Sequence, residues 1–217
     1  MTYQPHQLIL FQGDSITDCG RDRSPGVKYN DGPALGGGYA GMVAARSLAE
    51  HPGFGLRFLN RGNSGHRVVD LYARWKMDAI NLQPDILSIL IGVNDTWHEF
   101  SSGNGVEPER YAQVYRMMLN LTLERLPDVH LVLCEPFILP FGVVMPEWMG
   151  DLQQRQEIVR DLAGEFGAVF VPFQKMFTEA CREASPEYWL PDGVHPSPAG
   201  HARMADLWME SLETFAP

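Results

Sequence analysis

Four short segments of the chain carry side chains whose types suit covalent chemistry. Gly13-Asp14-Ser15 offers a hydroxyl, Gly62 within residues 60–65 a backbone donor, and Asn94 a carboxamide. Asp192-Gly193-Val194-His195 offers a carboxylate and an imidazole three residues apart. A hydroxyl, an imidazole, an acid that orients it and several N–H donors form the parts list for acyl transfer. Each piece alone is commonplace: Asn-Asp pairs make Asx-turns, and glycines make bends. Their chemistry depends on whether the fold gathers them.

The intervening sequence supplies elements that would do so. Residues 8–11, 56–59, 85–91, 129–134 and 168–171 are short apolar runs, as strands covered on both faces are. Residues 39–50 are alanine-rich, and Val68, Leu71, Tyr72, Trp75 and Ala79 recur at helical spacing. Residues 107–126 and a stretch from about 149 to 166 read as two more helices. The last helix starts with Ser197 as N-cap and Pro198 in its first turn, and carries Met204, Leu207, Trp208 and Leu212 on one side. Five alternations predict a three-layer α/β/α, flavodoxin-like fold: a five-stranded parallel sheet with right-handed crossovers and helices on both faces. No repeat or linker divides residues 1–217, which read as one domain. Ligands of such sheets sit at the carboxyl ends of the strands. Ser15, Gly62 and Asn94 each follow a strand, and Asp192 and His195 precede the last helix. All would meet at one rim.

With these blocks in this order, the sequence resembles the SGNH hydrolases, the GDSL esterase/lipase superfamily. GDSITD at 13–18, Gly62, Gly92-Val93-Asn94-Asp95 and Asp192-Gly193-Val194-His195-Pro196 stand at that family's places. GDSITDCGR, GVNDTW and DGVHPSPAGH are similar to its acetylxylan-esterase-like group. The departures are Pro191 before Asp192 and Asn63 after Gly62. The resemblance implies Ser15 as nucleophile, His195 as general base and Asp192 as its orienting acid. It implies an oxyanion hole made by the Ser15 and Gly62 backbone N–H groups with the Asn94 side chain. The implied activity is that of a serine carboxylesterase removing small acyl groups, acetyl above all, from xylo-oligosaccharides or related carbohydrates. No cofactor and no metal are implied. Gly62 would suit its role because a missing Cβ lets substrate approach the backbone. The close Asp-x-x-His spacing and the lack of a G-x-S-x-G elbow set the chain apart from the α/β-hydrolases.

Other readings use the same residues. A lipolytic or thioester-cleaving enzyme would need a long acyl channel. A flavodoxin-like protein could cradle a phosphate at the 13–18 turn, but Asp14 and Asp18 oppose one there and no glycine-rich phosphate motif is present. A metal-dependent hydrolase built on Asp14, Asp192 and His195 is a fourth reading. Among the loop aromatics Trp97, Phe100, Phe137, Phe141, Trp148, Tyr188 and Trp189, the expected pocket walls are Trp97 and Trp189, next to Asn94 and Asp192. His66 and His98 lie near the rim, whereas His6, His51, His130 and His201 read as surface or helix-end residues. Asp14 and Asp95 are expected to brace their loops, and Cys19 to be a packed thiol.

Composition bounds the rest. A chain of 217 residues, 45% hydrophobic and 20% charged, buries a core without disulfide or metal staples. A net charge of −10 repels nucleic-acid backbones and anionic lipids, so neither is an expected partner. Three scattered cysteines make no disulfide framework. The first residues lack a basic n-region and no run of 18 apolar residues occurs, so the expected location is the cytoplasm. Apolar loop residues at 137–149 would serve a homo-oligomer.

Overall fold

Successive side chains of a strand point to opposite faces, and the first strand divides its residues that way. Leu8 and Leu10 join one apolar cluster, Ile9 and Phe11 the other. The computed structural model describes residues 2–24 and 26–215. Its strands are β1 (Leu8–Gly13), β2 (Arg57–Asn60), β3 (Ile86–Leu90), β4 (His130–Cys134) and β5 (Val169–Val171). They form one fully parallel sheet in the order β2-β1-β3-β4-β5. The α-helices are α1 (Ser15–Asp18), α2 (Gly32–Leu35), α3 (Tyr39–Glu50), α4 (Val68–Ala73), α5 (Trp75–Asp78), α6 (Val93–Ser102), α7 (Pro108–Arg125), α8 (Pro146–Glu165), α9 (Phe173–Ala180), α10 (Pro186–Trp189) and α11 (Pro198–Thr214). Apolar residues of α3, α9 and α11 pack on one face of the sheet, and those of α4, α5 and α7 on the other. This is the expected three-layer architecture.

The strand order positions the site. The chain leaves β1 to add β2 on one side, then returns across β1 to add β3 on the other. That reversal opens a crevice beyond the carboxyl ends of β1 and β3. In the sheet register Gly13 lies opposite Leu90, and Phe11 opposite Asn60. Ser15, Gly62 and Asn94 therefore leave three adjacent strands within a few residues of one level.

Three local readings need correction. The stripe at 68–79 is not one helix: it breaks at Arg74 (φ −107°, ψ 3°), and Tyr72 is exposed rather than buried. Arg74 spends its side chain on Gln12 Oε1, Asp78 and the Gly13 carbonyl. Helix α6, which contains Asn94, was not expected: its apolar residues are only Val93, Trp97 and Phe100, the rest of its first turn is polar, and its N-cap is Gly92 at φ 134°. The segment at 137–149 also packs inward more than expected. Phe137, Ile138, Leu139 and Trp148 are buried, leaving Val143, Met145 and Met149 outside. Among the described residues no helix is long and apolar enough to cross a membrane.

Candidate active site

Asp14 ends the turn after β1 and caps α1, accepting from the Ile16 N–H at 3.0 Å. Ser15 is the first residue of that helix, so its own N–H has no intrahelical acceptor. Its Oγ lies 2.9 Å from His195 Nε2, across 180 positions of sequence. His195 Nδ1 lies 2.6 Å from Asp192 Oδ2. The second Asp192 oxygen accepts from the backbone N–H of Val194 at 2.9 Å and of His195 at 2.7 Å. Burial pushes the Asp192 carboxyl up, but the hydrogen bonds from His195 and Val194 outweigh it and hold it below the usual carboxylate range. An ionised Asp192 only accepts, so Nδ1 carries the ring proton and Nε2 offers its lone pair to the serine. The side chains of His195 and Asp192 are 43% and 35% exposed, which leaves the dyad open to a ligand.

The Asp192-Gly193 turn is held by residues 139–143. Leu139 N–H donates to the Gly193 carbonyl and Val143 N–H to the Asp192 carbonyl, both at 2.9 Å. A Cβ on Gly142 or Gly193 would collide with the opposite backbone. These contacts fix the height of the imidazole above the sheet.

Gly62 is clamped on both sides. Its N–H donates to Asn60 Oδ1 at 2.8 Å, and its carbonyl accepts from Arg21 Nε at 2.8 Å. Asn60 is buried, and its amide donates to the carbonyls of Thr17 and Leu35 at 2.6 and 2.7 Å. A Cβ on Gly62 would run into the Thr17–Asp18 backbone. The glycine is thus required by helix α1 packed against it, a reason different from the expected approach of substrate. Asn94 donates one amide hydrogen to the His66 carbonyl at 3.1 Å.

Comparison with known proteins identifies the family. A model of the GDSL-like lipase/acylhydrolase family matches residues 11–203. The chain belongs to that family. It is 37% identical over 208 residues to an acetylxylan esterase of Geobacillus stearothermophilus, covering 95% of this chain and 94% of that protein. Among solved structures, a GDSL-like protein of Parabacteroides merdae superposes with a TM-score of 0.93 at 41% identity, covering 98% of both chains. Axe2, an acetyl-xylooligosaccharide esterase of Geobacillus stearothermophilus, superposes with a TM-score of 0.87 at 34% identity, covering 98% of this chain and 96% of that one. This GDSL hydrolase is accordingly a carboxylic ester hydrolase of the serine type.

The remaining expectations divide. Trp97 stands beside the site, its ring centroid 6.0 Å from that of His195 and 5.2 Å from that of Trp148. Trp189 does not present a face to the rim. It is 5% exposed, and its indole N–H donates to the Ala180 carbonyl at 2.9 Å, which turns the ring into the core of the GDSL fold. His201 is not a surface residue either. It is buried, its Nδ1 accepts from the Tyr39 N–H at 3.1 Å, and its Nε2 lies 3.3 Å from Cys19 Sγ. Burial pushes its pKa down to about 4. Asp95 does brace, taking the Val68 N–H on both oxygens. Burial drives the Asp14 carboxyl to about 7 and Asp95 to about 8. Sequence reasoning missed Asn60 and Arg21, although Asn60 stands two residues before the glycine and Arg21 ends the GDSITDCGR block. Among the described residues no three His, Cys, Asp or Glu side chains converge as a metal site requires. A cavity of about 410 Å³ lies apart from the strand ends, lined by Tyr3, Glu50, His51, Phe54 and Met209.

Proposed function

We propose that this GDSL hydrolase removes small acyl groups, acetyl first, from acylated xylo-oligosaccharides or related carbohydrates by way of an acyl-enzyme on Ser15. The observation that carries the reading is the continuous chain Ser15 Oγ to His195 Nε2 to Asp192 at 2.9 and 2.6 Å. His195 takes the hydroxyl proton as Ser15 Oγ bonds to the ester carbonyl carbon. The C–O bond to the alcohol then breaks, and the alcohol oxygen leaves with that proton. Water repeats the sequence on the acyl-enzyme: His195 takes its proton, the new C–O bond forms, and Ser15 departs reprotonated. Asp192 holds the tautomer and balances the imidazolium that forms in each half.

Charge on the carbonyl oxygen would be met by the Ser15 N–H and the second hydrogen of the Asn94 amide. Gly62 joins them by sharing its hydrogen between Asn60 and the oxyanion, a three-centre bond. Trp97, beside His195, would form one wall where the alcohol leaves. The carbohydrate substrate is argued from likeness: Axe2 acts on acetylated xylo-oligosaccharides, and its catalytic mutants replace one serine, one aspartate and one histidine.

Hydrolysis of 4-nitrophenyl esters from acetate to octanoate, with Ser15→Ala in parallel, tests the reading. A steep preference for acetate that disappears in the variant is expected, followed by turnover of acetylated xylo-oligosaccharides. A preference for octanoate would move the protein to the lipolytic and thioester-cleaving enzymes. Equal rates for both proteins would remove Ser15 from the mechanism.

A further inference from the structure

Against a net charge of −10, the turns around Ser15 are crowded with cations. Arg21 and Arg23 follow α1, Arg61 precedes Gly62, Arg67 caps α4, and Arg74 divides α4 from α5. Three of the five have acidic partners: Arg23 with Asp18, Arg67 with Asp70 at 2.9 Å, and Arg74 with Asp78 at 3.2 Å. Two do not. Arg21 donates Nε to a neutral acceptor, the Gly62 carbonyl, and Arg61 Nε is buried without a partner. Among the described residues neither reaches a carboxylate at ion-pairing distance. The cost is visible in the guanidinium groups themselves. Burial, and then repulsion from Arg23, Arg61 and Arg74, outweigh Asp18 and hold Arg21 below its ordinary value. Arg74 is lowered by burial first, and by Arg23 and Arg61, against Asp78.

These cations abut the turns that carry the chemistry. Arg21 binds the carbonyl of Gly62. Arg74 donates to the carbonyl of Gly13 and, at 3.2 Å, to Nδ1 of His66, whose own carbonyl holds Asn94. Like charges gathered without counter-charge disfavour the folded state, and a bound anion relieves the repulsion. A guanidinium fork suits a carboxylate in particular, because two parallel N–H donors match its two oxygens. The acidic remainder of the surface does little to oppose this, since charges beyond about 10 Å are screened at ordinary ionic strength.

We infer that Arg21 and Arg61 form an anion subsite beside the Gly62 turn, and that the preferred substrate is an ester carrying a carboxylate. A uronic-acid-bearing sugar would supply it on the alcohol half, a dicarboxylic monoester on the acyl half. The inference rests on the esterase reading of Ser15 and narrows it to anionic esters.

Two matched pairs test it. One is acetylated xylo-oligosaccharide with and without a uronic acid branch; the other is 4-nitrophenyl hemisuccinate against 4-nitrophenyl butyrate. At about 0.05 M salt, kcat/KM should favour the anionic member of one pair by about tenfold or more, and the ratio should fall toward one near about 0.5 M. The pair that responds tells which half carries the carboxylate. Arg21→Gln and Arg61→Gln should each reduce the ratio several-fold. A general loss of activity cancels in a ratio, so a merely structural role would leave it unmoved. Equal kcat/KM within both pairs overturns the subsite, as does a preference that survives both substitutions. If the wild type turns over none of the four esters, the esterase reading fails, and calorimetric titration with glucuronate decides the subsite alone. Binding that is lost in Arg21→Gln supports it, and no binding overturns it.

Discussion

A serine hydroxyl is a weak nucleophile until a base removes its proton, so in the proposed mechanism Ser15 and His195 act as one unit. Ser15→Ala and His195→Ala should each lower kcat by about 10⁴-fold or more, and the double variant should be no worse than either single one. Losses that multiply in the double variant would mean the two side chains work separately. Asn94 is expected to behave differently, because in the proposed oxyanion hole its second amide hydrogen would serve charge present only in the transition state. Asn94→Ala should lower kcat by about 10²–10³-fold with little change in KM. A change confined to KM would make Asn94 a binding residue. Ser15, Asn94, Asp192 and His195 could all be picked from the sequence, since each sits in a polar block directly beyond an apolar run or ahead of a capped helix. Trp189 could not be placed that way. Its neighbour Asp192 faces the rim, but Trp189 lies on α10, where helical rotation points its ring into the core.

Elements, rather than single contacts, set the height of Ser15. Helix α1 has only four residues and gains little from its own hydrogen bonds, so its position depends on what packs against it. Gly62 and Asn60 are that packing: one supplies flatness, the other bonds to the Thr17 carbonyl. Gly62→Ala should therefore cost about 1–3 kcal/mol in a urea melt by overpacking, and lower kcat further by displacing Ser15. Gly150→Ala is the control. It lies within α8 with open space around it, and should be neutral or stabilising by about 0.5–1 kcal/mol. Equal effects at the two positions would mean that α1 does not lean on Gly62. Strands were legible because each is a short apolar run covered on both faces. Helix α6 was not, because only Val93, Trp97 and Phe100 of its ten residues are apolar, and Asn94, Asp95 and Thr96 are polar yet buried.

At the scale of the molecule, α11 closes the sheet and anchors α1 and α3 through His201. Its imidazole is held neutral, with a folded-state pKa of about 4 against an ordinary value of 6.5. Between those values the unfolded chain binds a proton that the folded chain does not. The stabilising contribution is complete above pH 6.5 and shrinks as pH falls toward 4, by about 3 kcal/mol in all. Asp14 and Asp95 act in the opposite sense, since carboxyls raised to about 7 and 8 become costlier to bury as pH rises. Subtracting a His201→Gln variant isolates the histidine. The stability gap between wild type and variant should narrow by about 2 kcal/mol between pH 7 and pH 5. A gap that does not move with pH would mean that His201 is not held neutral in the fold.

The sequence by itself determined the five strands, the main helices that cover them, the parallel sheet and the four blocks beyond it. Those follow from periodicity and from which residues can cap, turn or react, and both are local properties of the chain. Only the tertiary structure decided that Gly62 is a glycine because a helix rests on it, that His201 is buried where α11 meets the ends of α1 and α3, and that Arg21 and Arg61 lie at the Gly62 turn with no carboxylate among the described residues at ion-pairing distance. Each of these depends on residues distant in sequence meeting in space, and the periodicity of a single segment carries no record of what packs against it.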